Sequence, residues 1–130
     1  MPYILHPLRV MLRMTDETAM IAAVLHDVVE DCGVSLDDLR AEGFPEEVVG
    51  AIDAMTRRAD EGYEDYVRRA AAHPIARRIK VADLRDNLER SLRQPAMPEN
   101  DARVRKYQRA LEIVRGEEEL TRDRNNTEPG

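Results

Sequence analysis

The chain has no tryptophan, one phenylalanine and one cysteine. With so little aromatic bulk, its core must come mainly from Leu, Ile, Val, Met and Ala, a palette that suits helices. Cys32 has no second cysteine to pair with, so an intramolecular disulfide is excluded; its place at a helix end beside Gly33 reads as a small packed residue. Long apolar runs and a charged-then-apolar leader are also missing, so neither a membrane span nor secretion finds support, and the cytoplasm is the expected location. Positive charge is in deficit. A formal net charge of −6 argues against non-specific binding to nucleic acid, which needs a concentrated basic surface.

A small anion is not excluded in the same way. Arginines are locally dense, at Arg57-Arg58, Arg68-Arg69, Arg77-Arg78 with Lys80, and Arg103-Val104-Arg105-Lys106, and the guanidinium fork matches phosphate oxygens. Genomic base composition explains a preference for Arg over Lys equally well. At 130 residues the chain is long enough for one modest core, so any site must be built by the whole fold.

Hydrophobic spacing divides the chain into six or seven helices with no strand-like alternation, and the expected fold is an all-α compact bundle. Pro7 suits a first helical turn running through Leu8, Met11 and Leu12, with His6 at its start. Thr15 and Asp16 are cap candidates for a second helix ending near Gly33; Ser35 with Asp38 forms a capping-box pattern that should stop at Gly43. Val48, Val49, Ile52 and Met55 mark a fourth helix, and Tyr63, Tyr66 and Val67 a fifth. After Pro74, with His73 read as surface or cap, a long sixth helix places Lys80, Asp83 and Asn87 on one face and Val81, Leu84 and Leu88 on another. Val104, Tyr107, Leu111 and Val114 define the last helix. The domain is expected over residues 1–116, followed by a polar, disordered tail over 117–130.

Chemistry concentrates in Leu25-His26-Asp27-Val28-Val29-Glu30-Asp31. At about 100° per residue, His26, Asp27 and Glu30 share a wedge facing away from the apolar stripe of Met20, Ile21, Val24 and Leu25, with Asp31 at its edge. With His6 and Asp83, the pair would complete a two-His, two-Asp set. Mixed imidazole and carboxylate ligands favour Mn²⁺, with Fe²⁺ or Zn²⁺ as alternatives. Such an ion lowers the pKa of water and polarises a phosphoryl oxygen, while Glu30 or Asp31 would orient or deprotonate that water. The same spacing also fits a solvated helix face, and Lys80 with Asp83 an exposed ion pair three residues apart.

The order Pro2-Tyr3-Ile4-Leu5-His6-Pro7, then Leu25 to Asp31, then Lys80-Val81-Ala82-Asp83 with Asn87, resembles the HD-domain phosphohydrolases, specifically the RelA/SpoT-type alarmone hydrolases and their small relatives. The resemblance runs from Pro2 to about Val114. It implies that His6, His26, Asp27 and Asp83 hold Mn²⁺, that Glu30 and Asp31 activate water, and that Asn87 contacts the nucleotide. Tyr107 falls where small relatives carry a tyrosine near the nucleoside, and Arg103, one turn earlier, is placed to reach the same cleft; a core role for Tyr107 fits its spacing as well. The implied reaction removes the 3′-pyrophosphate of guanosine tetra- or pentaphosphate, releasing pyrophosphate and GDP or GTP. Another nucleotide substrate, or a non-catalytic binding role, is the alternative. The implied partner is a small guanosine nucleotide, with no nucleic acid and no membrane; oligomeric state stays open, a homodimer included.

The sequence departs from that pattern twice. The family usually carries a helix and a basic, Gly-containing loop before the His6 block, so part of the phosphate clamp is expected to be missing, or supplied by a neighbouring subunit or another local basic group. Asp83-Leu84-Arg85-Asp86-Asn87 also stands where many relatives have Asp-Arg, and no role is carried onto Arg85.

Overall fold

The computed structural model describes residues 5–127. Among them are seven helices and no strand: α1 (Leu5–Leu12), α2 (Glu17–Cys32), α3 (Leu36–Ala41), α4 (Glu46–Ala54), α5 (Tyr63–Ala72), α6 (Pro74–Leu92) and α7 (Pro98–Thr127). The Pro2-Tyr3-Ile4 portion of the first motif lies outside the described residues. No described helix is long and apolar enough to cross a membrane.

Local chemistry accounts for most boundaries. The Asp16 carboxylate accepts the Ala19 amide hydrogen at 2.9 Å and so caps α2. That helix stops at Gly33, whose φ of +66° is the left-handed conformation open to glycine without a Cβ penalty. Ser35 and Asp38 form the reciprocal capping box, at 3.0 Å in both directions, with Asp doing the work usual for Glu. Cys32, expected to be packed, is exposed.

His73 proves to be the N-cap of α6. Its Nδ1 accepts from the amides of Ile75 at 3.2 Å and Ala76 at 3.3 Å, and Pro74 fills the first turn, where a missing N–H costs nothing. Only the neutral ring can accept there, and burial lowers the His73 pKa from its ordinary value. Because the folded value lies below the unfolded one, the stabilisation is complete above about pH 6.5 and is lost as pH falls through the lower folded value. His73→Ala is therefore expected to cost about 1 kcal/mol in urea unfolding at pH 8. The difference from the parent should shrink in mild acid; an equal cost at both pH values would refute the cap's role.

Two apolar clusters meet at α6. Val10, Ala22, Val48, Val49, Ile52 and Ile79 belong to the first, which α1 to α4 build against one side of α6; Tyr66, Val67, Leu84, Ala110 and Val114 belong to the second, under α5 and α7. Helix α6 packs against α1, α2, α4, α5 and α7. A helix covered on so many sides has little room for a wide polar face, so Lys80 and Asp86 are buried while Arg78, Arg85 and Glu89 stay exposed.

The expected tail is the main departure. From Glu117 the polar stretch continues α7 as helix to Thr127, while residues 128–130 lie outside the described part. Its Glu and Arg residues are good helix formers, and the Thr121 hydroxyl donates to the Glu117 carbonyl at 2.9 Å along the helix. A lack of apolar residues removes a reason to pack, not a reason to be helical.

Candidate metal centre and nucleotide cleft

Helix α2 brings His26, Asp27 and Glu30 together: one imidazole nitrogen and one oxygen from each carboxylate lie within 4.8 Å of one another. His26 is nearly buried, with 12 % of its side chain exposed, and its Nε2 lies 3.0 Å from Glu30 Oε1 and 3.1 Å from the Met55 carbonyl oxygen. Met55 follows the last turn of α4, where carbonyls lack helical partners, and the Tyr66 hydroxyl donates to the same oxygen at 2.7 Å. The end of α4 thereby sets the orientation of both rings. Burial opposes charge on His26, but the Glu30 hydrogen bond and the charges of Glu30, Asp27 and Asp83 outweigh it and raise its pKa. That same hydrogen bond lowers the Glu30 pKa, so Glu30 is an ionised carboxylate in neutral solution.

The second half of the centre crosses from α1 to α6. His6 is buried, with its Nε2 2.8 Å from Asp83 Oδ1 and its Nδ1 2.5 Å from Asp86 Oδ2. Asp27 is raised by burial and lowered by the charges of His26 and His6, with Asp83 acting as a like charge, which ties the two halves into one electrostatic neighbourhood. The set of imidazole and carboxylate donors fits Mn²⁺, Fe²⁺ or Zn²⁺. Asp31 is not gathered with the others. It is exposed and lines an apolar groove between α1 and α2 with Pro7, Leu8, Val28 and Asp27.

Lys80 and Asp83 are not the exposed pair that their spacing allows. The Lys80 side chain is 7 % exposed and its Nζ lies 3.2 Å from Asp83 Oδ2, 3.1 Å from the Tyr66 hydroxyl oxygen and 4.7 Å from the centre of the Tyr66 ring. Burial alone would raise the Asp83 pKa, yet the Lys80 charge and the His6 hydrogen bond prevail and hold it well below the usual carboxylate range. By the same balance Lys80 stays protonated, its pKa raised by Asp83 against the pull of burial.

Asn87, Arg103 and Tyr107, the sequence candidates for nucleotide contact, line one cleft of about 400 Å³ between α6 and α7 with Arg90 and Asn100. Tyr107 also packs against the second core cluster, as the core reading of its spacing expects. The Asn100 side-chain amide donates to the Ser91 carbonyl at 2.7 Å and fastens the start of α7 to the end of α6.

Three groups had no assigned place in the site: one was missed by the sequence reading and two were named there only as members of basic clusters. Asp86 is the first, hidden inside a departure from the family pattern. The others are Arg57 and Lys106, which approach the Tyr63 ring at 5.7 Å and 4.2 Å from its centre. Loss of hydration and the like charges of Arg57 and Lys80 lower the Lys106 pKa, so three cations converge on the Tyr63–Tyr66 pair beside Asp83. Arg57 stands on a loop held by Arg69, which pairs with Glu61 through two contacts of 2.8 Å and donates to the Thr56 carbonyl at 2.7 Å. Those bonds hold the Glu61 carboxyl down at about 2. Density of Arg in the sequence was a signal for such a cluster, but not for which arginine supplies it.

Comparison with known proteins bears on the chain as a whole. The chain resembles guanosine-bis(diphosphate) pyrophosphohydrolases. It is 30 % identical over 100 residues to a guanosine-3′,5′-bis(diphosphate) 3′-pyrophosphohydrolase of Aquifex aeolicus, covering 68 % of this chain and 14 % of that protein. A probable GTP pyrophosphokinase of Mycobacterium leprae is 36 % identical over 126 residues, 87 % of this chain and 15 % of its own length. A guanosine-3′,5′-bis(diphosphate) 3′-pyrophosphohydrolase of Borreliella burgdorferi is 42 % identical over 60 residues, 43 % of this chain and 9 % of its own. The chain thus spans about one seventh of the length of the first two relatives. No protein-family model matches it.

Proposed function

We propose that this chain is an HD-type, metal-dependent phosphohydrolase that removes the 3′-pyrophosphate of guanosine tetra- or pentaphosphate. The observation that carries the reading is the His26–Asp27–Glu30 cluster on α2, whose Asp27 feels the charges of the His6–Asp83 pair from α1 and α6, beside a buried lysine. The names of the Aquifex and Borreliella relatives support the choice of substrate. His6, His26, Asp27 and Asp83 would hold Mn²⁺, or Fe²⁺ or Zn²⁺ in its place. When bound, the ion supplies Lewis acidity to a phosphoryl oxygen and acidifies water.

The protein's own groups do the rest. Glu30, ionised and hydrogen-bonded to His26, takes a proton from the attacking water; the water oxygen bonds to the phosphorus on O3′, the P–O3′ bond breaks, and the departing O3′ takes up a proton that Glu30 or solvent supplies. Asp31 is the lesser partner, on the groove that Asp27 also lines. Lys80, Arg57 and Lys106 oppose the phosphate charge, filling the role of a clamp that the sequence led us to expect was incomplete. Asn87, Arg103 and Tyr107 present the cleft for the nucleoside.

The test is pyrophosphate release from guanosine tetraphosphate with Mn²⁺, beside a panel of other nucleotides. Cleavage of another nucleotide while the tetraphosphate stays intact would refute the substrate, and nucleotide binding without turnover under any of the three metals would favour a non-catalytic role. The name of the Mycobacterium relative gives a second reading, pyrophosphate transfer to GTP, which the same preparation can be assayed for directly. Lys106→Ala is expected to raise KM about tenfold, the equivalent of one lost charge-assisted contact, with little change in kcat.

A further inference from the structure

We infer that Asp86, braced by Arg9, is a positioning residue that fixes the ring of His6 and its proton on Nδ1, turning Nε2 toward the metal centre. The inference rests on the metal-centre reading above and adds residues that the family pattern did not assign. Asp86 is 2 % exposed, on the turn of α6 after Asp83, so the two carboxylates straddle one imidazole. Its Oδ2 meets His6 Nδ1 at 2.5 Å. Arg9 closes the other side, its Nε donating to Asp86 Oδ1 at 2.8 Å and its Nη2 to Oδ2 at 3.2 Å.

Direction follows from the chemistry of the partners. An ionised carboxylate only accepts, and each ring nitrogen faces one, so the charged ring donates on both sides; once Nε2 gives up its hydrogen, as metal ligation there requires, the hydrogen that remains is the one on Nδ1, held by Asp86 across the shorter contact, 2.5 Å against 2.8 Å. Arg9 keeps Asp86 ionised and in plane by a two-point contact, which a lysine would not reproduce. Arg9 lies on α1, three residues beyond His6, so one short helix supplies both the candidate ligand and the brace for the group that orients it. Outer-shell carboxylates of this kind set tautomer and ring orientation at metal-ligating histidines, and losing one costs about 10–100-fold in metal affinity.

The experiment uses the full chain, labelled with ¹⁵N-histidine and free of metal, at a pH above the titration of His6. Long-range ¹H–¹⁵N correlation should find His6 protonated on Nδ1. Asp86→Ala should move the proton to Nε2 or mix the tautomers, and should weaken Mn²⁺ binding about 10–100-fold by calorimetry. Asp86→Asn, which keeps one carbonyl oxygen for His6 but loses the charge and the second acceptor that Arg9 Nε uses, should give a smaller loss. Arg9→Gln, on the more exposed side of the pair, should do likewise; these two variants carry the test if Asp86→Ala does not fold. Thermal melts establish that the variants are folded, and a merely structural role would leave tautomer and affinity unmoved.

The inference is overturned if the parent carries its proton on Nε2, or if folded Asp86→Asn and Arg9→Gln keep the parent's tautomer and affinity. If the parent binds no Mn²⁺ while His6 is Nδ1-protonated and Asp86→Ala abolishes that state, the metal reading falls and the positioning of His6 by Asp86 stands.

Discussion

Lys80→Met is expected to destabilise the protein by about 3–5 kcal/mol, the range for breaking a buried ion pair from one side. The methionine would fill most of the lysine's space, so the cost would come from charge rather than from a cavity. Asp83 would keep its contact with His6 but lose the cation at 3.2 Å, and Tyr66 would lose the donor at 3.1 Å and the cation over its ring. Chemical denaturation at neutral pH measures the effect directly, and a loss below about 1 kcal/mol, the range of an exposed pair, would overturn the burial argument.

The pH dependence gives an independent check. The folded pKa of Asp83 lies below its unfolded value, so its stabilisation is full above about pH 4 and is lost as pH falls through the lower folded value. The parent should therefore lose stability steeply in acid. In Lys80→Met that pull on Asp83 is weaker, and the acid limb should be flatter.

The second large effect separates binding from chemistry. Asp27→Ala is expected to reduce Mn²⁺ affinity more than about 100-fold, beyond the range of an outer-shell change, with turnover falling in step. Glu30→Gln should retain the metal and lower turnover of guanosine tetraphosphate by about 10²–10⁴-fold, the contribution of a positioned general base. Calorimetric metal titration and pyrophosphate release, made on the same preparations, read the two quantities apart. Equal loss of metal in both variants would make Glu30 a ligand rather than a base, a role its place within 4.8 Å of His26 and Asp27 permits. Unchanged turnover in Glu30→Gln would remove it from the chemistry altogether.

Helix boundaries were readable wherever one side chain and its near neighbours settle the matter. Asp16, Gly33, the Ser35–Asp38 box and Gly43 act over three or four residues, so their meaning does not depend on the rest of the fold. The end of α7 was not readable, because polar composition speaks to burial and not to backbone hydrogen bonding, and Glu117 to Thr127 is helical without an apolar stripe. Asp31 was placed beside Glu30 by the resemblance, but a step of about 100° turns it from the imidazole of His26 toward the groove with Pro7 and Leu8.

By itself, the sequence determined the all-α class, most helix starts and stops, and the grouping of His26, Asp27 and Glu30, since helical periodicity alone puts those three on one side of α2. It also picked out Asn87, Arg103 and Tyr107, which share a cleft. Only the tertiary structure decided that His6 meets Asp83 and Asp86, 77 and 80 positions away, that Lys80 is buried against Tyr66, and that Arg57 and Lys106 approach one tyrosine ring. Periodicity fixes where a side chain points relative to its own helix axis. How far one helix is rotated and slid against another is set by the packing of α1, α5 and α7 on α6, and contacts between helices are legible only once that packing exists.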